Sequence, residues 1–409
     1  MRILHTADWH LGDRLGRIDR TDDLKRAVER VADWCLRERV DVLLVAGDLF
    51  SELARPDGLR DAIRHLQDAF FPFLRDGGTI LTLTGNHDNE NFCQTLRHAM
   101  SLASPPASKP GDRVPPGRLY LATDPTLLRL GDRSGSGDVQ FVLMPYPTPA
   151  RYLTDETTQR YQGLEEKNRH LMTAFTARLQ AIKDDPGFDP ALPSVLGAHV
   201  AVQGCDLSRL FRLSEQEDVL VEQASLTPGF AYVALGHIHK AQCLAGQSHV
   251  RYSGSIERMD LGEEHDDKGV VVFDVDPAGV VGEPRVLPLE ATPIYRIEIR
   301  SPSMELPGLR ERYRDPQNAL VKIEFTYTAG VDNLEETLRE LEGIFPRWYD
   351  RHWTEANALD RPFAIGQPHV KSFEETVRDY LNQELMNHPD AVREAVLARA
   401  ETLLREVQT

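Results

Sequence analysis

VDVLLVAGD, residues 40–48, is the stretch from which the fold can be read. Its apolar run is short, nearly unbroken and rich in β-branched residues, the pattern of a strand covered on both faces. It stops at Gly47-Asp48, where a turn delivers a carboxylate. The same plan recurs outward along the chain in RILHTAD (2–8), TILTLTGNHD (79–88), SVLGAHV (194–200) and YVALGHIH (232–239). Apolar strands that each end in a polar cluster predict a layered α/β sandwich with its chemistry gathered at the strand ends.

Helices and loops fill the intervals. Leu24, Val28, Val31 and Cys35 share one helical stripe, and Asp57–Leu74 reads as a second helix. Ser101–Gly117, Gly131–Asp138 (a hairpin turn) and Asp184–Pro193 read as surface loops. A new pattern begins near Pro293. IYRIEIR (294–300) and ALVKIEFTY (319–327) alternate like half-buried strands, Asn333–Phe345 carries Leu334, Leu338 and Leu341 on one helical side, and Arg347–Ala356 reads as a third strand. After Gln367-Pro368 the chain turns to charged helix, with Val392, Val396, Ala400, Leu403 and Val407 at coiled-coil-like spacing. The expected division is residues 1–288, a small α+β unit at 289–370, and terminal helices at 371–409.

Composition narrows the class. An apolar share of 41% with 27% charged residues is that of a water-soluble globular protein. No apolar run nears the ~18 residues of a membrane span. MRILHTAD enters a strand directly, without the features of a signal peptide, so a cytoplasmic setting is expected. The four cysteines, Cys35, Cys93, Cys205 and Cys243, are far apart and form no C-x-x-C pair, which favours free thiols. A formal net charge of −17 argues against a simple polyanion-binding surface. Acting on DNA would require bound cations, a local basic patch or a basic partner.

The strand-end clusters are Asp8-Trp9-His10, Gly47-Asp48, Gly85-Asn86-His87-Asp88 and Gly236-His237-Ile238-His239, joined by His199. Carboxylates, imidazoles and a carboxamide suit divalent manganese, iron or zinc, and the lack of cysteine disfavours a structural zinc site. Two ions ~3.5–4 Å apart need an anionic bridge, for which Asp48 is the obvious choice. Gly, Asn and Asp also make ordinary turns. Turns, however, do not require histidine at positions 10, 199, 237 and 239. His199 stands alone, and a buried structural histidine is its rival reading. His5 reads as structural, and His65, His98, His170 and His249 as surface residues without partners. Trp9 either stacks on a base or packs on a neighbouring loop. Arg14, Arg17 and Arg20 either meet phosphates or form a solvated helix start.

The ordered motifs resemble the D-x-H, G-D, G-N-H-D and G-H-x-H series of the calcineurin-like metallophosphoesterases. MRILHTADWHLG, GDLF and YSGS (Tyr252–Ser255) are similar to the bacterial SbcD-type nucleases within that family. The resemblance implies a four-layer α/β/β/α sandwich with a smaller α+β capping domain, and a DNA nuclease using two Mn2+ ions. One ion would sit on Asp8, His10, Asp48 and His239, the other on Asp48, Asn86, His199 and His237. His87 would face the phosphate as proton donor to the leaving oxygen, with Asp88 orienting and charging its imidazole. Some relatives carry a histidine where this chain has Ser51, so Ser51 and Glu52 are left outside the expected site. The implied partners are DNA, an SbcC-type coiled-coil ATPase docked by the terminal helices, and a second copy of the chain. A small-molecule phosphodiesterase or phosphatase, and a protein that mainly tethers DNA ends, are the competing functions.

Overall fold

The computed structural model describes residues 1–103, 109–133, 137–153, 161–206 and 218–356, together with 396, 397, 399 and 400. The chain divides into Met1–Thr354 and Glu355–Thr409. Most of the terminal helices expected at 371–409 lies outside the described residues. No helix among the described residues is long and apolar enough to cross a membrane.

Two six-stranded sheets form the centre of the first unit. One contains β1 (Arg2–Thr6), β4 (Val42–Val45), β5 (Thr79–Leu83), β6 (Leu119–Ala122), β15 (Gly269–Asp276) and β16 (Gly279–Pro288), in the order β16-β15-β1-β4-β5-β6. The other contains β7 (Thr126–Gly131), β8 (Asp138–Met144), β9 (Ser194–His199), β12 (Tyr232–Gly236), β13 (Gln242–Leu244) and β14 (Gln247–Tyr252), in the order β13-β14-β12-β9-β8-β7. The middle of each sheet is parallel, β1-β4-β5-β6 and β8-β9-β12-β14, so within each group all strand carboxyl ends face one way. Antiparallel strands close the remaining edges.

The unbroken apolar runs follow from burial on both faces. Val42 and Leu44 join Leu81, Leu83, Phe141, Val195 and Tyr232 in the core between the sheets. Their neighbours Leu43 and Val45 pack outward with Leu24, Val28, Val31, Phe70 and Phe73, from α1 (Thr21–Arg37) and α2 (Pro56–Arg75). On the other outer face, Phe175 and Leu179 of α5 (Leu164–Lys183) cover Leu196, Ala198, Val233 and Leu235. The α/β/β/α layering is therefore present. α3 (Glu90–Ala103) runs on from the third motif, and α4 (Pro149–Tyr152) and α6 (Gln223–Leu226) are single turns. Neither α3 nor α5 is among the helices expected from the sequence. Two short pairs, β2 (Arg14–Leu15) with β3 (Ile18–Asp19) and β10 (Ala201–Val202) with β11 (Leu220–Val221), complete this part.

Beyond it stands a three-stranded sheet, β17 (Ile294–Ile299), β18 (Leu320–Tyr327) and β19 (Trp348–Glu355), in that order. Its apolar core, including Ile297, Ile323, Phe325, Leu341 and Phe345, is completed by α7 (Pro302–Arg312) and α8 (Leu334–Ile344). Asn333 caps α8, its side chain accepting the Glu336 amide at 3.2 Å. α7 is absent from the sequence expectation because Pro307 lies inside it.

Two of the arginines after the first motif, Arg17 and Arg20, belong to the junction with this small sheet, while Arg14 is exposed and donates to the Arg17 carbonyl at 3.2 Å. Arg17 donates to the carbonyls of Trp348 (2.9 Å) and Pro346 (3.1 Å). Arg20 is 1% exposed and pairs with Asp23 at 2.6 Å and Glu257 at 3.2 Å. Neither expectation for Arg20 holds, since a sealed, doubly paired guanidinium neither meets phosphate nor lies in solvent. Trp9 packs: it stacks on Phe70 at 5.9 Å and donates to Thr6. His65 and His170 have partners after all: His65 Nε2 lies 3.2 Å from the Lys25 carbonyl, and the His170 ring meets Tyr161 edge-on at 5.4 Å.

Candidate metal centre

All seven expected ligands lie on loops or strand ends at the carboxyl edges of parallel strands. Asp8 and His10 follow β1, Asp48 follows β4 and Asn86 follows β5, while His199 ends β9 and His237 and His239 follow β12. The sharp exits bend the backbone. Asp8, His10, Asp48 and His237 all hold positive φ, at 55°, 46°, 52° and 98°. Such values are uncommon for residues with a side chain, and here they concentrate where several donors are turned toward one point. Glycine is required beside them. A Cβ on Gly85 would lie 2.0 Å from Asp48 Oδ1, and one on Gly236 would lie 1.9 Å from the Ala46 carbonyl.

The donors form two adjoining clusters. Ligand atoms of Asp8, His10 and His239 lie within 4.8 Å of one another, as do those of Asp8, Asp48 and His199. Asp48 Oδ2 stands between them, 3.2 Å from His199 Nε2 and 3.7 Å from His10 Nε2. Asn86 Oδ1 lies 3.0 Å from His199 Nε2 and 2.9 Å from His237 Nδ1. His10 Nε2 and His239 Nε2 face each other at 3.1 Å.

Outer partners fix which nitrogen of three histidines turns inward. His199 Nδ1 lies 2.8 Å from the Ala46 carbonyl, His239 Nδ1 lies 2.9 Å from Glu263, and His237 Nε2 contacts Asp218. Asp218 also accepts from Tyr146 at 3.0 Å, and Lys268 pairs with Glu263 at 2.6 Å. Histidines tied to an outer carbonyl or carboxylate are characteristic of metal sites, because the outer bond sets tautomer and ring direction. Asp218, Glu263 and Lys268 were missed by sequence reasoning. No motif marks them: Asp218 precedes β11, Glu263 and Lys268 share the connection from β14 to β15, and they meet the histidines only through the fold.

This donor set fits divalent cations. With Nδ1 committed to a carbonyl, the His199 Nε2 lone pair faces two oxygens, an arrangement that requires a cation or a proton between them. Two carboxylates are sealed beside each other, Asp8 0% and Asp48 1% exposed. Burial drives the Asp8 carboxyl upward, and the Asp48 charge adds to that. Burial opposes ionisation of Asp48 as well, but His199 and His10 outweigh it and hold that group well below the usual carboxylate range. Nitrogen and oxygen donors without sulfur match manganese, iron or zinc. All four cysteines are free thiols, and none belongs to either cluster.

The pairing expected between Asp88 and His87 is not what the structure holds. Asp88 turns away and accepts three backbone amides, from Gly85 (2.8 Å), Phe50 (2.8 Å) and Leu49 (3.2 Å). It joins the second and third motif loops, and its hydrogen bonds go to backbone rather than to the imidazole. The carboxylate beside His87 is Glu52, its Oε1 lying 3.5 Å from Nδ1. His87 itself lines a cleft of about 180 Å³ with His10, Asp48, Asn86, His237 and His239.

The comparisons with known proteins agree with this geometry. A model of the calcineurin-like phosphoesterase family matches residues 1–241. The SbcD protein of nuclease SbcCD from Rhodobacter capsulatus is 30% identical over 341 residues, covering 80% of this chain and 80% of that protein. Its namesake in Bacillus subtilis is 27% identical, covering 79% and 78%. Its namesake in Escherichia coli K12 is 28% identical, covering 62% and 60%.

Proposed function

This chain belongs to the calcineurin-like phosphoesterase family and is a metal-dependent hydrolase of phosphodiester bonds; we propose that its substrate is DNA and its metal manganese. The observation that carries the reading is a sealed pair of carboxylates, Asp8 and Asp48, ringed by histidines whose outer nitrogens are already engaged. Preference for DNA over a small ester rests on the relatives named as parts of a nuclease, whose match of 341 residues is longer than the family model's.

Two Mn2+ ions held by Asp8, His10, Asp48, Asn86, His199, His237 and His239 would supply Lewis acidity toward the phosphoryl group and the attacking water. The protein's share is geometric and protolytic. Asp8 is common to both clusters and Asp48 faces a histidine of each, while Ala46, Asp218 and Glu263 hold three imidazoles in direction. His87 donates its proton to the departing sugar oxygen as the phosphorus–oxygen bond breaks. Metal held by these residues would also answer the net charge of −17, since it would bring positive charge to a site that takes a phosphate backbone.

The same reading gives the chain a cytoplasmic setting, an SbcC-type coiled-coil ATPase as partner, a second copy of itself, and docking through residues 371–409. In this reading residues 1–288 are the nuclease domain and residues 289–370 the capping domain.

The deciding experiment measures cleavage of linear duplex DNA and of bis(p-nitrophenyl) phosphate with Mn2+, Mg2+ and Zn2+ in parallel. His87→Ala should retain both metals and lose DNA turnover by about 10²–10⁴-fold. Equal DNA cleavage by wild type and His87→Ala would remove the proton-donor role. Turnover of the chromogenic diester with no DNA cleavage under any metal would point to a small-molecule phosphodiesterase.

A further inference from the structure

His87 is the proposed proton donor, yet its sequence neighbour Asp88 does not touch it. A donor imidazole whose second nitrogen is unrestrained can turn its ring and present either nitrogen to the substrate. The structure offers one restraint. Glu52 Oε1 lies 3.5 Å from His87 Nδ1, and both residues line the metal cleft.

Glu52 is set on a braced turn. Ser51 N donates to the Leu11 carbonyl at 3.1 Å, and Ala54 N to the Ser51 carbonyl at 3.1 Å. The Ser51 hydroxyl donates to Asp13 at 3.0 Å and accepts from Leu53 N at 3.2 Å. Gly12, at φ 88°, lets the turn come close, since a Cβ there would lie 2.7 Å from Ala54 Cβ. The turn is thereby fixed to the loop that carries Asp8 and His10, and Glu52 is held over His87 by backbone geometry. Its side chain is 61% exposed, so the contact with His87 is weak in open water and gains strength where a substrate covers the cleft mouth.

We propose that Glu52 is the positioning residue for His87: it accepts the Nδ1–H, fixes the ring, and leaves Nε2 to face the leaving oxygen. This rests on the nuclease reading above. In the step it supports, an oxygen of water forms a new bond to phosphorus, its proton leaving to solvent, as the bond to the sugar oxygen breaks. The Nε2 proton passes to that sugar oxygen, and the Nδ1–H remains with the ring, bonded to Glu52. Glu52 touches no reacting atom.

Leaving-group dependence tests the role, because a nitrophenolate departs without a proton and a sugar alkoxide does not. Wild type, Glu52→Ala, Glu52→Gln and His87→Ala are compared on duplex DNA and bis(p-nitrophenyl) phosphate at saturating Mn2+, with bound metal measured for each. For Glu52→Ala, kcat on DNA should fall about tenfold more than kcat on the activated diester, with KM for DNA within about twofold of wild type. Glu52→Gln keeps an acceptor oxygen and should recover most of the loss. His87→Ala should show the same selectivity, larger. Selective loss in His87→Ala with none in Glu52→Ala overturns the Glu52 role and leaves the donor reading intact. Equal losses on both substrates in Glu52→Ala mark a merely structural role and also overturn it. Absence of selectivity in His87→Ala removes the donor reading, and the Glu52 role falls with it.

Discussion

The Asp48 carboxylate lies 3.2 Å from Nε2 of His199, and neither side chain is open to water. Asp48 follows a strand of the first sheet and His199 ends a strand of the second, so this contact joins the sheets at their carboxyl edges. The site straddles the sandwich, and neither sheet alone could assemble it.

Asp48→Asn follows from that position. The substitution keeps shape and removes the charge that faces His199 at 3.2 Å and His10 at 3.7 Å. Metal content after dialysis should fall from about two equivalents to below one, and DNA cleavage should fall by about 10³-fold or more. Elemental analysis of the folded variant checks this. A variant that still holds two equivalents shows that Asp8 alone can bridge.

Outer partners give a graded effect. Burial opposes ionisation of Glu263, yet Lys268 and His239 hold it well below its ordinary range, so it faces His239 as a carboxylate. Glu263→Gln and Asp218→Asn should each weaken metal binding by about 10–100-fold while leaving the ligands in place. Chelator competition measures the constants, and excess metal should restore most of the turnover. Loss that no metal concentration restores would place the effect in folding.

What the sequence disclosed and what it hid divide along one physical line. Strand-end motifs are local: the run VDVLLVAG and the Asp48 it delivers lie within nine residues, and the parallel sheets bring such ends together. Asp218 and Glu263 reach their histidines across distances no local pattern records. Asp88 misled because it adjoins His87 in the chain. Backbone bonds from Gly85, Leu49 and Phe50 hold its carboxylate, and Glu52, 35 positions earlier than His87, stands at the imidazole. α7 was hidden by its internal proline.

Gly47→Ala separates backbone strain from crowding at the site. Gly47 has φ 94°, and a Cβ there would lie 2.2 Å from His199 Nδ1, displacing the ring from the Ala46 carbonyl. Gly77 has a similar φ of 87° with nothing within 4 Å of an added Cβ. Both alanine variants should lose about 1–3 kcal/mol of stability through the left-handed backbone. Only Gly47→Ala should also lose metal. Denaturant midpoints and chelator titrations, read together, decide it, and an unaltered metal affinity in Gly47→Ala would mean the His199 ring is not held as described.

Arg347 supports the final prediction, which concerns how the small sheet is held. Its guanidinium pairs with Asp23 of α1 at 2.6 Å, and Asp23 is only 2% exposed while also binding Arg20 and Arg26. Burial works against the Asp23 charge, but Arg347 and Arg20 together outweigh it and hold the carboxyl below its ordinary 3.8. A carboxyl depressed in the folded state stabilises the fold above its unfolded value, and that contribution disappears as pH falls through the folded value. Arg347→Ala should therefore cost about 1–3 kcal/mol at pH 7, less than breaking an isolated buried pair because Arg20 remains. The gap between variant and wild type should narrow once the pH falls below 3.8. Urea unfolding at steps from pH 7 down to the lowest pH at which both proteins still fold follows the gap. A gap that stays constant over that range would show that Arg347 acts through packing and its other bond, to the Asn318 carbonyl at 2.7 Å, rather than through the Asp23 charge.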